Sequence, residues 1–267
     1  MTTPTQQPGA AVPQSGGFDA ETLEQLSRDA AEIISRYPVK RSALLPMLHL
    51  VQSVDGYTSR RGIEFCAQQL ELTTAEVSAV ATFYTQYKRK PNGDYTIGVC
   101  TNTLCAVMGG DAIFDELSEH LGIGHDETTP DGKITLERVE CNAGCDFAPV
   151  VMANWEFMDN QTPQSAVAMV DDLREGKDIR PSRGPDKVHT FKEVSRVLAG
   201  FNDGHADEGV GAGPASIRGT VIARENGWIG TDAASHPAQT PQNDEVAPET
   251  GDEGSSAQRP ADEGADK

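Results

Sequence analysis

The amino-acid sequence predicts an α+β protein: a small helical bundle over residues 18–90, a compact α/β sandwich over 91–200 and a disordered acidic tail over 201–267. Three observations predict it. From Asp19 to Tyr84 apolar residues recur at three- and four-residue steps, the period of helices with one buried stripe. From Tyr95 to Glu175 the pattern reads strand, helix, strand, strand, helix, which packs as helices layered on one sheet. Beyond Gly200 periodicity is lost and Gly, Ala, Pro, Asp and Glu dominate.

Residues 1–17, rich in Pro, Gln, Thr and Gly, read as a disordered leader; without a basic start and an apolar core they do not resemble a secretory signal. The first helix carries Leu23, Leu26, Ala30, Ile33 and Ile34, is capped by Asp19 or Thr22, and ends at Tyr37-Pro38, because a residue before proline disfavours helix. A second helix from about Ser42 carries the apolar Leu44, Leu45, Leu48 and Val51, with Pro46 near its first turn and Asp55-Gly56 closing it. A third spans roughly Ser59 to Leu70. Thr73-Thr-Ala-Glu76 is a capping box that opens a fourth, carrying Val77, Val80, Ala81, Phe83 and Tyr84. Four such helices with short links pack as a bundle. The Phe83-Tyr84-x-x-Tyr87 aromatics serve either packing between bundle and sheet or docking of a partner. Lys88-Arg-Lys90-Pro-Asn-Gly93 reads as a basic hinge between the domains, its charges either solvated or in contact with an acidic neighbour.

A strand over Tyr95–Val99 follows, then Gly109-Gly110 and a helix with Ile113, Phe114, Leu117 and Leu121 on one face. The glycine pair is either a plain turn or a place where backbones approach closely. Thr128-Thr-Pro-Asp-Gly132 is turn chemistry, and the strand Lys133–Glu140 alternates until Arg138-Val139, a slip that a bulge would explain. Pro149–Trp155 reads as another strand and Thr162–Glu175 as a helix. A last amphipathic helix around Phe191–Leu198 docks on the sheet or on a partner. The body to residue 200 has a net charge of −10 and the 67 residues beyond it −9, too polar to repay the entropy of ordering. The same acidity argues against nucleic acid and anionic membrane surfaces as partners, and no apolar run is long enough to span a membrane.

Four of the five cysteines form two pairs, Cys100-x4-Cys105 and, after thirty-five residues, Cys141-x3-Cys145. A strand precedes each pair. Two strand ends lying side by side would carry both loops, and therefore four thiolates, to one edge of a sheet. Unrelated structural cysteines and disulfides are weaker readings, the latter because nothing points to an oxidising compartment. Zinc ligation fits loops of this size. The wider spacings also suit an iron–sulfur cluster whose two irons each take one pair. Spacing alone does not separate the two. Cys66, on a helix face in Ile63-Glu-Phe-Cys66-Ala, reads as a buried apolar residue.

The residues around the pairs add a resemblance. Cys100-x4-Cys105 followed by Gly109-Gly110, the Thr128–Gly132 turn, Cys141-x3-Cys145 followed by Ala148-Pro-Val-Val151, and the upstream Val77-Ser-Ala-Val80-Ala-Thr82-Phe83-Tyr84 occur in one order. Over roughly residues 18–200 the chain resembles the thioredoxin-like [2Fe-2S] ferredoxin subunit of respiratory complex I. Some members carry a glycine between the first two cysteines, near the place of Asn102 here; asparagine tolerates a left-handed backbone, so the loop can still close. The resemblance implies a thioredoxin-like fold for residues 91–200. It implies one [2Fe-2S] cluster held by Cys100, Cys105, Cys141 and Cys145, and docking on a flavoprotein subunit that binds NADH and FMN, among other peripheral-arm subunits.

The chain would then carry a redox centre but no complete active site, working as one subunit of an NADH:quinone oxidoreductase at the cytoplasmic side of the membrane. No nucleophile–base pair or phosphate loop stands elsewhere, and the six histidines are scattered, none at ligand spacing from a cysteine. A four-thiolate [2Fe-2S] cluster is a dianion that gains a further negative charge on reduction. With Glu140 and Asp146 beside the second pair and few cations near in sequence, a low potential is expected, closer to about −400 mV than to the Rieske range. The sequence leaves two alternatives open: the homologous diaphorase subunit of an NAD-dependent hydrogenase or formate dehydrogenase, and a four-cysteine zinc interaction module without redox function.

Overall fold

The computed structural model describes residues 17–205, 208–209 and 214–227. Four helices come first: α1 (Ala20–Ser35), α2 (Leu44–Asp55) after a 3-10 turn at Lys40–Ala43, α3 (Arg60–Leu70) and α4 (Thr74–Phe83). Their ends are set by local chemistry. The Asp19 carboxylate accepts from Thr22 N–H, Ser59 Oγ accepts from Gly62 N–H, and Thr73 with Glu76 forms the reciprocal capping box, satisfying donors that a helix start leaves unpaired. Gly56, at φ 77°, closes α2 in the left-handed conformation. Leu26, Ile33, Met47, Leu48, Val51, Phe65 and Val77 form the shared core.

The aromatic motif, which begins with Phe83 at the end of α4, packs only in part, and within the bundle rather than between bundle and sheet. Tyr87 is buried, donates its hydroxyl to Leu45 O at 3.0 Å and stacks on His49 at 4.8 Å, whereas Phe83 stays 79% exposed. Phe83 and Tyr84 line, with Leu45 and Val80, an apolar groove of about 450 Å³.

His49 has a measurable consequence. It is buried, its Nδ1 has no partner among the described residues, and burial holds its pKa down to about 4. Unfolded histidine titrates near 6.5, so between 6.5 and about 4 the unfolded chain binds the proton and the folded chain does not. Stability contributed above that window is therefore lost as pH falls through it, by about 3 kcal/mol. Urea denaturation at pH 7 and pH 4 should show this loss, and His49→Gln should shrink it.

The second half is one mixed sheet. Its strands are β1 (Tyr95–Cys100), β2 (Glu127–Thr128), β3 (Ile134–Val139), β4 (Val151–Ala153) and β5 (Glu156–Met158), in the order β2-β3-β1-β4-β5. β1 and β3 are parallel, and the other pairings are antiparallel. Between them lie α5 (Thr103–Val107) and α6 (Gly110–Leu121); α7 (Pro163–Arg174) follows β5. Ile97 and Val99 of β1 and Ile134 and Leu136 of β3 share a core with Ile113 and Leu117 of α6 and Val170 and Leu173 of α7. Strand alternation turns Thr96, Gly98 and Cys100 to the opposite face.

Four sequence expectations need correction. The expected bulge at Arg138-Val139 is absent: pairing runs unbroken through Val99↔Arg138 and Cys100↔Val139. Arg138 keeps to the α6 side, where its guanidinium lies 3.8 Å from the Phe114 ring centroid and pairs with Asp111 and Asp115. Val139 faces the other way, against Gly98. The basic stretch is not simply solvated, since Lys88 is buried in an ion pair with Glu137 of β3 and Lys90 pairs with Asp126 at 3.1 Å. The last predicted helix, α8 (Phe191–Leu198), packs on α2 of the bundle rather than on the sheet. Arg196 meets Asp29 at 2.8 Å, Lys192 donates to Val54 O at 2.9 Å, and Ala199 joins the bundle core.

The fourth concerns the tail. Within it, Pro214–Glu225 forms a helix, α9, with proline at its first position. This stretch carries Arg218 and Arg224 against a single Glu225, so it does not share the acidic composition of the segment as a whole. The expected disordered leader, apart from Gly17, and the rest of the tail beyond Gly227 lie outside the described residues. Among the described residues, no helix is long and apolar enough to cross a membrane.

Candidate metal centre

Parallel pairing of β1 with β3 brings the two cysteine loops together. Cys100 ends β1 opposite Val139, and Cys141 follows two residues after Val139. Cys105 lies in α5, whose five residues are capped by Asn102: its side-chain oxygen accepts from Thr103 N–H at 2.7 Å. Asn102 is extended, at φ −81° and ψ 164°, so the left-handed residue anticipated there is not needed. The second loop has one instead. Ala143 sits at φ 55°, costly for a residue with a Cβ, and its N–H points to Cys141 Sγ at 3.3 Å. Cys145 opens a 3-10 turn, Cys145–Phe147, and its sulfur lies 3.9 Å from that of Cys141.

Burial divides the four thiols by pair. Cys100 and Cys105 are buried around Val150, with Val139, Ala148, Met152 and Phe157 packed alongside, whereas Cys141 and Cys145 are exposed. None is in a disulfide. Burial pushes the Cys105 thiol up, and the neighbouring sulfurs of Cys100 and Cys145 add to it. Cys145 is pushed up by its contact with Cys141 and by the repulsion of Cys141, Cys100 and Asp146. Sulfurs that hold one another's protons in this way are a donor set that multiply charged cations stabilise as thiolates.

Gly110 resolves the reading of the glycine pair. A Cβ there would collide with Cys100 O and lie 2.9 Å from Cys105 O, so the start of α6 touches the backbone of both cysteines of the first pair. The helix N-terminus placed there favours negative charge. Gly109, at φ 115°, supplies the turn into the helix.

No motif announces Arg183, which comes from the loop after α7. Its guanidinium lies over Phe157 at 4.0 Å and Phe147 at 5.2 Å, and a Cβ on Gly144 would sit 3.3 Å from its Nη2. This is a cation beside the second loop, where few lie close in sequence. Asp159 pairs with it at 2.9 Å, both being nearly buried, so the pair brings no net charge to the site. A cavity of about 260 Å³ opens beside Cys141, lined by Lys88, Glu137, Val139, Asn142, Met152 and Trp155. Cys66 is remote from all this: it is buried in the bundle, donates to Met47 O at 3.4 Å, and has its thiol pushed up by burial.

The donor set fits a [2Fe-2S] cluster. Four reduced cysteines stand as two pairs on adjoining loops, with one N–H aimed at a sulfur and a glycine that lets a helix start touch the first loop. Residues 30–174 match the thioredoxin-like [2Fe-2S] ferredoxin family. The chain belongs to this family. Among its relatives is a subunit of the NADH-quinone oxidoreductase of Mycobacterium bovis, 59% identical over 210 residues that cover 78% of this chain and 83% of that one. The corresponding NADH-quinone oxidoreductase subunit of Rickettsia bellii is 41% identical over 160 residues, covering 59% and 93%. The NADP-reducing hydrogenase subunit HndA of Solidesulfovibrio fructosivorans is 36% identical over 140 residues, covering 52% and 82%. Family membership disfavours the zinc-module alternative.

Proposed function

We propose that this thioredoxin-like ferredoxin is the [2Fe-2S] electron-transfer subunit of an NADH-quinone oxidoreductase, exchanging single electrons with the FMN of an NADH-binding flavoprotein subunit. The observation that carries this reading is the convergence of Cys100, Cys105, Cys141 and Cys145 at the adjoining ends of β1 and β3. When bound, the cluster supplies a reversible one-electron couple. The chain's own residues do the rest. The Cys100–Cys105 pair anchors one side in an apolar pocket around Val150, while the Cys141–Cys145 pair stays at the surface. The Ala143 N–H donates to the Cys141 sulfur.

Leu104, Val107 and Met108 are exposed apolar neighbours of Cys105 in the chain, Val107 at 79%. Such apolar side chains around a redox site suit a docked partner better than free solution. Glu140 and Asp146 beside the second pair, and the self-neutralised Arg183–Asp159 pair, support the low potential expected from all-thiolate ligation. The chain would sit in the peripheral arm of the complex on the cytoplasmic side of the membrane, without inserting. Greater identity to the two NADH-quinone oxidoreductase relatives than to the hydrogenase one favours this assembly over a hydrogenase diaphorase.

The test is reconstitution of the cluster-loaded chain with the purified NADH-binding flavoprotein subunit. NADH should reduce this chain's cluster only in the mixture, and Val107→Asp should weaken complex formation several-fold. Absence of both a complex and reduction by NADH would contradict the assignment.

A further inference from the structure

The segments that flank α8 bring together a second group of metal-binding side chains, and its residues are not cysteines. One ligand atom from each of His189, Asp203 and His205 lies within 4.8 Å of the other two. The imidazole rings of His189 and His205 are 4.7 Å apart, inclined at 36°. Among the described residues, Nε2 of His189 is buried without a hydrogen-bond partner, an unfavourable state for a ring nitrogen unless something binds it. His189 Nδ1 has, among the described residues, only a 3.9 Å approach from Glu193, whose carboxylate is already engaged by the Thr190 cap.

The surroundings hold these side chains in place. Asn154, itself buried, donates to His189 O at 2.8 Å and fixes the backbone just before α8. Asp203 Oδ1 accepts from His205 N–H at 3.0 Å, with Gly204 between them at φ 89°. Glu208 binds His205 Nδ1 at 2.5 Å and accepts from Asp186 N–H at 3.1 Å. A carboxylate on Nδ1 of an imidazole orients the ring and leaves Nε2 as the ligand, the usual outer-shell arrangement of a metal-bound histidine. The nearby Lys187 is drawn to Asp178 at 3.6 Å.

We infer that His189, Asp203 and His205 form a binding site for a zinc-type divalent transition metal, with Glu208 orienting His205. Two imidazoles and one carboxylate are the donors zinc accepts in three-ligand sites, whereas magnesium and calcium prefer all-oxygen shells. Tetrahedral bonds of about 2.0–2.1 Å require donors about 3.3 Å apart, so small side-chain rotations suffice to close the site. The bound ion would fasten the segment after α8 to the loop before it. Its role is structural, independent of the cluster and of the electron-transfer reading.

The experiment uses the full-length, cluster-loaded chain treated with EDTA and then titrated with Zn²⁺ by calorimetry. Iron and sulfide are assayed in parallel, so that zinc entering the cysteine site is recognised by lost iron. One equivalent of zinc should bind with iron unchanged. His205→Gln, a substitution at a partly exposed position, should weaken binding at least ~100-fold, and Glu208→Gln about 10–100-fold as an outer-shell loss. Zinc should also raise the melting temperature of the parent chain but not that of His205→Gln. Absence of zinc binding with iron intact, or equal binding by the parent and His205→Gln, would overturn the site and leave only a histidine–carboxylate ion pair.

Discussion

Replacing Cys105 or Cys145 by alanine is expected to abolish cluster retention, taking iron from about two per chain towards zero and removing visible colour. On the proposed ligation both pairs are required, because each would supply two of the four sulfurs. Cys105 is held by α5 within the apolar pocket around Val150, and Cys145 faces Cys141 at 3.9 Å on the exposed loop. No other cysteine can substitute, since Cys66, the fifth, is buried in the helical core and bonded to Met47 O. Cys66→Ala therefore serves as the control: it should retain full iron while losing some stability through the cavity it leaves. Iron and acid-labile sulfide assays on the purified variants check the contrast.

Gly110→Ala is expected to produce nearly as large a loss without touching a sulfur. Its new Cβ would collide with Cys100 O and lie 2.9 Å from Cys105 O, both backbone atoms that cannot rotate aside. Either α6 withdraws or the first cysteine loop moves, and both displace Cys100 and Cys105 relative to the second pair. Overpacking of this kind costs typically about 1–3 kcal/mol in stability, and the displacement should lower iron content several-fold. Gly122, at the other end of α6, separates the two effects. It is at φ 67° with nothing within 4 Å of an added Cβ, so Gly122→Ala should cost about 1 kcal/mol through backbone strain and leave iron unchanged. Equal iron in the Gly110 and Gly122 variants would mean that the α6 start does not position the cysteines.

Much of this arrangement is legible in the sequence because it is local. Asp19, Ser59 and Thr73 mark helix starts by side-chain chemistry that acts over three residues, and all three cap as such spacing requires. The strands before each cysteine pair are continuous runs, and their pairing puts the loops side by side. What the sequence hides is short or distant. β2 is two residues long, and β5 follows a turn made by Asn154 and Trp155, at φ 46° and 70°, with no glycine to announce it. α5 is a single turn or so, too short for periodicity to reveal.

Arg138 looks like a break in alternation because a long charged side chain occupies a core-facing position; it does so by laying its guanidinium on Phe114 and its charge against Asp111 and Asp115. Lys88, Arg183 and the attachment of α8 depend on partners far along the chain: Glu137, Asp159 and Asp29. Amphipathicity shows that a helix has a face to bury but not which element receives it. The histidines that approach each other around α8 look scattered in sequence for the same reason.

Visible absorption and low-temperature electron paramagnetic resonance of the purified chain, before and after dithionite, read the cluster directly. A [2Fe-2S] centre on the proposed four cysteines gives a red-brown protein with about two irons per chain, silent when oxidised and giving a spin-½ signal on reduction. A colourless, silent protein with zinc on Cys100, Cys105, Cys141 and Cys145 would contradict it.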